Sequence, residues 1–172
     1  PIGALFSTPA DHDPLLLVRA KEEGDNVEPS AASVAAFNLL RLARLLGRDD
    51  FRQAGERMIN VHLGSAAGPL SFPVLNGAAL LADAPPRELV IVGDSRLGET
   101  QSLLRAASHY FLPEMAVILL ESPDNPLIKR LPFLKEMGLV KGKPAAYYCH
   151  NFTCQAPVAS ADELRGLLGC SR

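Results

Sequence analysis

The sequence has no tryptophan, only three cysteines and few aromatic residues, and its charges are nearly balanced. With 17 Lys and Arg against 19 Asp and Glu, it lacks the concentrated basic surface that nucleic-acid binding needs, so no nucleic-acid partner is expected. No apolar run approaches the roughly 20 residues that cross a bilayer, and no charged-then-apolar leader resembles a signal peptide. We therefore expect a cytoplasmic protein with no membrane partner.

The cysteines Cys149, Cys154 and Cys170 are odd in number and lack the dense spacing of secreted disulfide scaffolds. This pattern is typical of a reducing compartment and favours Cys149 as a free, buried strand residue. The alternative is a redox-labile disulfide between Cys149 and Cys154, which requires their Cα atoms to come within about 7 Å. Together with His150 the cysteines have the composition of a zinc site. Because the adjacent Cys149 and His150 should point to opposite faces of a strand, we expect no metal and no other cofactor.

The hydrophobic content is that of a protein that folds, because 48% of the 172 residues are hydrophobic. A chain of this length forms one ordinary domain or two small ones. After Pro86 the pattern changes from helical periodicity to continuous apolar runs separated by helices. This change predicts two parts, residues 1–84 and 85–172.

The first part is predicted to begin with a β-hairpin formed by the apolar runs Ile2 to Phe6 and Leu15 to Arg19, separated by turn formers. Two antiparallel helices follow, Ser33 to Leu46 and Phe51 to Val61, because apolar residues recur there at spacings of three and four. Ser30 is the natural N-cap of the first of these helices. A third helix is predicted within residues 69–83.

The second part contains three apolar runs, Leu89 to Val92, Ala116 to Leu120 and Ala145 to Cys149. Each has the length of a strand covered on both faces, and predicted helices lie between them and after the last one. The β-α-β-α-β-α order predicts a small parallel three-stranded sheet with right-handed crossovers.

The turn from Gly93 to Gly98 could hold a phosphate on its backbone amides, but it lacks the Lys-Ser/Thr of a P-loop. A tight turn capped by its own polar residues explains it without a ligand.

Four collinear stretches resemble a known family: Leu17 to Arg19 with Gly24 to Leu42, Glu88 to Asp94, Leu131 to Leu134, and Ala146 to Val158. In these stretches, and over nearly its whole length, the chain resembles the C-terminal part of the spermatogenesis-associated protein 20 family. The resemblance implies an N-terminal thioredoxin-like domain that carries the redox motif, followed by an (α/α)6 toroid similar to that of N-acylglucosamine 2-epimerases and six-hairpin glycosidases. No Cys-x-x-Cys occurs in this sequence.

The fold class that follows is α/β: a helical hairpin from the end of the toroid, then the small parallel three-stranded β/α unit. The implied partner is the N-terminal part of the same protein. Because a toroid segment without its neighbours exposes apolar helix faces, self-association is a further expectation.

Candidate ligand-binding residues are Glu28, Ser30 and Ser33, at the start of a helix where toroids place their pockets. Where the family commonly has Asn in a Pro-Ser-x-Asn-Ser motif, this sequence has Ala32, which weakens the transfer of a binding role. The alternative is structural: Ser30 caps the helix and Glu28 offsets its dipole.

Three hypotheses follow. The first is a structural and ligand-facing part of a toroid that binds a sugar-like or small polar compound, with a place in carbohydrate metabolism. The second is a redox-associated module that acts with the thioredoxin-like domain through Cys149 and Cys154, and the third is a protein-interaction module. A bound sugar would favour the first, and a bond between Cys149 and Cys154 the second. No complete active site is expected in this chain, so no enzymatic activity of the chain alone is expected.

Overall fold

The computed structural model describes residues 3–11, 14–21, 24–65, 68–151 and 153–169. The chain divides into two compact units between Ala84 and Pro85. The helices are α1 (Ala31–Leu46), α2 (Asp49–Leu63), α3 (Pro73–Asp83), α4 (Gly98–Ser108), α5 (Leu127–Arg130) and α6 (Ala161–Gly169). The strands are β1 (Arg87–Val92), β2 (Met115–Leu120), β3 (Ala145–His150) and β4 (Thr153–Cys154). The mixed α/β class is therefore confirmed.

The ends of α1 are fixed by its own sequence. Ser30 is the N-cap, and its hydroxyl accepts a hydrogen bond from the Ser33 amide at 3.2 Å, as predicted. At the other end Gly47 adopts a left-handed conformation with φ of 63°, which a glycine reaches without steric cost. This turn leads directly into α2, so the two predicted helices are present in the predicted order.

The core of the first unit lies where α1, α2 and α3 meet. The close approach of α2 to α1 depends on Gly55, because a Cβ at that position would lie 2.9 Å from Cγ of Leu40. Arg44 on α1 donates to the carbonyl oxygens of Leu81 and Ala84 at the end of α3. The buried apolar residues of this core are Ala32, Ala36, Leu40, Met58, Ile59, Phe72, Leu75, Ala78 and Leu81.

The predicted hairpin of Ile2 to Phe6 and Leu15 to Arg19 is absent from its described residues, which contain no strand. Ile2 lies outside the described residues. One backbone hydrogen bond, from the Ser7 amide to the Ala20 carbonyl at 2.9 Å, joins the residues that directly follow the two segments. Leu17 is 94% exposed, so this pair lacks the covered apolar face that stabilises a two-stranded ribbon.

The second unit is built on a four-stranded sheet of order β2-β1-β3-β4. β1 and β2 are parallel, with Arg87 opposite Met115 and Val92 opposite Leu120, and α4 connects them. One face of the sheet packs on α4 and α6. The core on that face consists of Leu89, Ile91, Leu103, Ala106, Ala107, Met115, Ala146, Tyr148, Leu164 and Leu168.

The prediction of a parallel three-stranded sheet is wrong, because β3 runs antiparallel to β1 and β4 antiparallel to β3. The reason lies in the connection between β2 and β3. A parallel return must carry the chain back along a strand of about 20 Å, usually on a helix of comparable length. Here the predicted helix is broken at Pro132 into α5, of 4 residues, and a 3-10 helix of 5 residues. The chain therefore enters β3 at the end where it left β2, with Ala145 opposite Val92.

Across the described ranges, every helix is too short or too polar to span a membrane.

Candidate functional site

The two redox candidates are brought together at the edge of the sheet. Cys149 on β3 lies directly opposite Cys154 on β4, and their sulfurs form a disulfide with Cα atoms 3.9 Å apart. The chain reverses between them, where Asn151 adopts a left-handed conformation with φ of 49°. Asn tolerates this conformation better than most residues. Cys149 is buried as predicted, but the interpretation of it as a free thiol is wrong.

The two half-cystines have different surroundings. Cys149 is 3% exposed, because β3 lies inside the sheet. Cys154 is exposed, because β4 has only 2 residues and forms the outer edge. The disulfide therefore joins a buried residue, Cys149, to an exposed one, Cys154.

Residues 153–158, here called the edge segment, lie along the outer side of β3. The Gln155 amide donates to the Tyr148 carbonyl at 2.9 Å, and Ala146 and Val158 exchange two backbone hydrogen bonds at 2.8 and 3.0 Å. Within this segment all side chains except that of Val158 are exposed. Little apolar burial therefore holds it, and its attachment depends on these bonds and the disulfide.

The hypothetical zinc ligands do not converge in the described part of the chain. Over those ranges no three His, Cys, Asp or Glu side chains come together in an arrangement that could hold a metal ion. His150 is exposed next to the disulfide-bonded Cys149. Cys170 lies outside the described residues.

The turn after β1 is occupied by its own side chains. Arg96 donates to the Asp94 carboxylate at 2.6 Å, and the Ser95 amide donates to the Glu121 carboxylate at 3.1 Å. The hydrogen bonds from Arg96 lower the pKa of Asp94 to about 2. The carboxylates of Asp94 and Glu121 therefore already accept from the donors that an anionic ligand would need. This arrangement agrees with the interpretation of a tight turn without a bound phosphate.

A second polar cluster lies at the start of α1 and is centred on Asp25, which no motif in the sequence indicated. Its carboxylate accepts from the Ser30 amide at 2.9 Å and from the Val74 amide at 2.8 Å. Burial alone would raise the pKa of Asp25, but hydrogen bonds from the Ser33 hydroxyl and from those two amides lower it below its ordinary value. Val74 is 49 residues away in sequence, so no local pattern indicated this contact.

The structure separates the three predicted ligand residues. Ser30 and Ser33 are buried and their hydroxyls bond to each other at 2.9 Å, whereas Glu28 is exposed. Glu28 and Ser30 border an open depression of ≈ 770 Å³, but Ser33 does not. Ala32 is buried in the core of the first unit. The depression is lined by Gly24, Asp25, Asn26, Glu28, Pro29, Ser30, Ala31 and Ser71.

These features define a mixed α/β chain with a disulfide-bonded sheet edge and a polar cluster that caps its first helix. No protein-family model matches it. Spermatogenesis-associated protein 20 of Homo sapiens is 31% identical to this chain over 175 residues, and the match covers 96% of this chain and 21% of that protein. The protein of the same name from Rattus norvegicus gives the same values. An uncharacterized protein of Caenorhabditis elegans is 32% identical over 177 residues, covering 96% of this chain and 22% of that protein.

The resemblance found in the sequence is thereby confirmed: the chain is a homologue of spermatogenesis-associated protein 20 across nearly its whole length. It spans only 21% of the length of those relatives.

Proposed function

We propose that this chain is a redox-associated module that exchanges its Cys149–Cys154 disulfide with thiols. The observation that carries the proposal is the disulfide itself, which distinguishes this hypothesis from the ligand-binding and interaction alternatives. Disulfides in a reducing, cytoplasmic setting are usually transient or redox-sensing rather than structural. The partner that the family resemblance implies is a thioredoxin-like domain elsewhere in a longer protein.

The test is a redox titration of the protein in dithiothreitol buffers, with Cys170→Ser as background so that only the pair can respond. We expect a reversible two-electron transition, counted by alkylation and mass spectrometry, because an edge disulfide with an exposed half-cystine is open to thiol attack. A matched Cys154→Ser variant should show no such transition. A pair that stays oxidised in buffers more reducing than about −300 mV behaves like a structural disulfide and would refute the proposal.

A second candidate function is binding of a small polar or sugar-like compound in the depression beside α1. It is supported by the polar lining, in which the Glu28 side chain is exposed. Asp25 and Ser30 already bond to each other, so Glu28 is the acceptor best placed for a hydroxyl-rich ligand.

A panel of monosaccharides should shift the amide NMR signals of Asn26 and Ser30, and Glu28→Gln should weaken binding about tenfold, because a hydrogen bond to a charged acceptor is worth about 1.5 kcal/mol or more. Glu136→Gln, an exposed carboxylate elsewhere, is the matched control. Equal shifts in both variants would remove Glu28 from any binding role, and no shifts with any sugar would remove this candidate.

Association with the remaining part of a longer protein, or with a second copy, is a further proposal. Val34 and Leu42 on α1 are 43% and 42% exposed, so this helix presents apolar surface. Such surface supports a role in contacts with other chains or segments.

A further inference from the structure

The two sulfurs of the edge disulfide differ in how an incoming thiolate can reach them. A thiolate attacks a disulfide sulfur from the side opposite the bond that breaks, so the attacked sulfur must be accessible. Cys149 is 3% exposed on the inner strand β3, whereas Cys154 is exposed on the outermost strand. Because Cys154 is the exposed residue of the pair, we expect its sulfur to be the more accessible end of the bond.

We propose that Cys154 is the sulfur attacked during exchange, that Cys149 is the resolving thiol, and that the partner is a dithiol. This inference rests on the proposed redox function and specifies its substrate class. In the first step a thiolate of the partner bonds to Sγ of Cys154, the Cys149–Cys154 bond breaks, and its electron pair stays on Cys149, which takes up a proton. In the second step the partner's other thiolate attacks the partner sulfur of this mixed disulfide. The electron pair then stays on Cys154, which is protonated, and the partner leaves as a disulfide, so two electrons have passed to the protein.

The preference for a dithiol follows from the register. Cys149 lies directly opposite Cys154, and after the first step the four residues between them and the remaining backbone bonds of the edge segment to Tyr148 and Ala146 keep the two cysteines close. Cys149 therefore returns to Cys154 rapidly and expels a monothiol. A dithiol escapes this reversal because its own second thiol is tethered equally close to the mixed disulfide.

Single-cysteine variants test which sulfur reacts. In a Cys170→Ser background, Cys149→Ser leaves the Cys154 thiol and Cys154→Ser leaves the Cys149 thiol, and each is treated with oxidised glutathione. We expect mixed disulfide to form about tenfold or more faster at Cys154, since exposure controls access to the sulfur. Equal rates, or faster reaction at Cys149, in variants that keep the wild-type circular dichroism spectrum would overturn the assignment.

A second measurement does not depend on the variants folding. The oxidised Cys170→Ser protein is mixed with a large excess of reduced glutathione and quenched in acid within seconds, and the small transient population of mixed disulfide is located by tandem mass spectrometry. Glutathione bound to Cys154 supports the proposal, and glutathione bound to Cys149 refutes it.

At equal thiol concentration, dithiothreitol should reduce the pair about tenfold or more faster than 2-mercaptoethanol, and equal rates would refute the dithiol preference. These outcomes are separable from the proposed function: an irreversible titration rejects the redox role, whereas reversible exchange through Cys149 rejects only this assignment.

Discussion

Replacing Gly93 with alanine should destabilise the second unit by about 2–6 kcal/mol, from strain of about 1–3 kcal/mol in a disfavoured conformation and overpacking of about 1–3 kcal/mol. Gly93 follows β1 with φ of 154°, a region that residues with side chains rarely occupy. A Cβ at this position would lie 2.6 Å from Oγ1 of Thr100 and 2.8 Å from Cβ of Pro144. Thr100 is buried in the first turn of α4, so it has little room to move.

The measurement is urea unfolding followed by circular dichroism, and Gly98→Ala is the matched control. Gly98 is the first residue of α4, and a Cβ at this position would meet nothing within 4 Å beyond its chain neighbours and its own helix backbone, so its replacement should change the free energy of unfolding by about 0.5 kcal/mol or less. If the two variants unfold at the same urea concentration, the close contact at Gly93 does not limit stability.

Local features of the fold were predictable because they depend on neighbouring residues. Ser30 and Gly47 mark the ends of α1 by capping, and the apolar runs locate β1, β2 and β3 within one or two residues. Periodicity and caps act over a few residues, so the sequence displays them directly.

Long-range features were not predictable in the same way. An apolar run fits a covered strand in either direction, so the orientation of β3 depends on how far the chain travels after β2. The disulfide depends in turn on β4, a strand of 2 residues that no hydrophobic pattern indicates. The central place of Asp25 depends on the fold bringing Val74 to it. In each case tertiary contacts decide what local sequence leaves open.

Replacing Asp25 with alanine should destabilise the first unit by about 2–4 kcal/mol, because several partly buried groups that donate to this charged acceptor lose their partner together. The carboxylate joins the start of α1 to the start of α3 through the amides of Ser30 and Val74. Glu28→Ala, an exposed carboxylate in the same loop, should cost about 0.5 kcal/mol or less. Urea unfolding of both variants gives the comparison, and an equal loss in the two would show that the Asp25 bonds are not stabilising.

The pH dependence of stability gives an independent check on Asp25. Its pKa in the folded protein is below the ordinary aspartate value of 3.8, so the carboxylate stabilises the fold fully above that value. This contribution is lost as the pH falls through the lower pKa of the folded state. We therefore expect the wild-type protein to lose more stability on acidification than Asp25→Asn, in which no proton is taken up at this position. Parallel curves for the two proteins would contradict the assigned shift.

Attachment of the edge segment to β3 is coupled to the redox state of the disulfide. The disulfide closes the short loop between Cys149 and Cys154, which stabilises the attached edge segment by about 2 kcal/mol. This free energy corresponds to a factor of about thirty in the equilibrium between attached and released segment. Thermodynamic linkage makes this coupling reciprocal, so whatever holds residues 153–158 against β3 favours the oxidised pair by the same factor. A molecule that binds the attached segment makes the disulfide harder to reduce, and one that binds the released segment makes it easier. The reduction potential of the Cys149–Cys154 pair therefore depends on what binds the sheet edge as well as on the surrounding thiols.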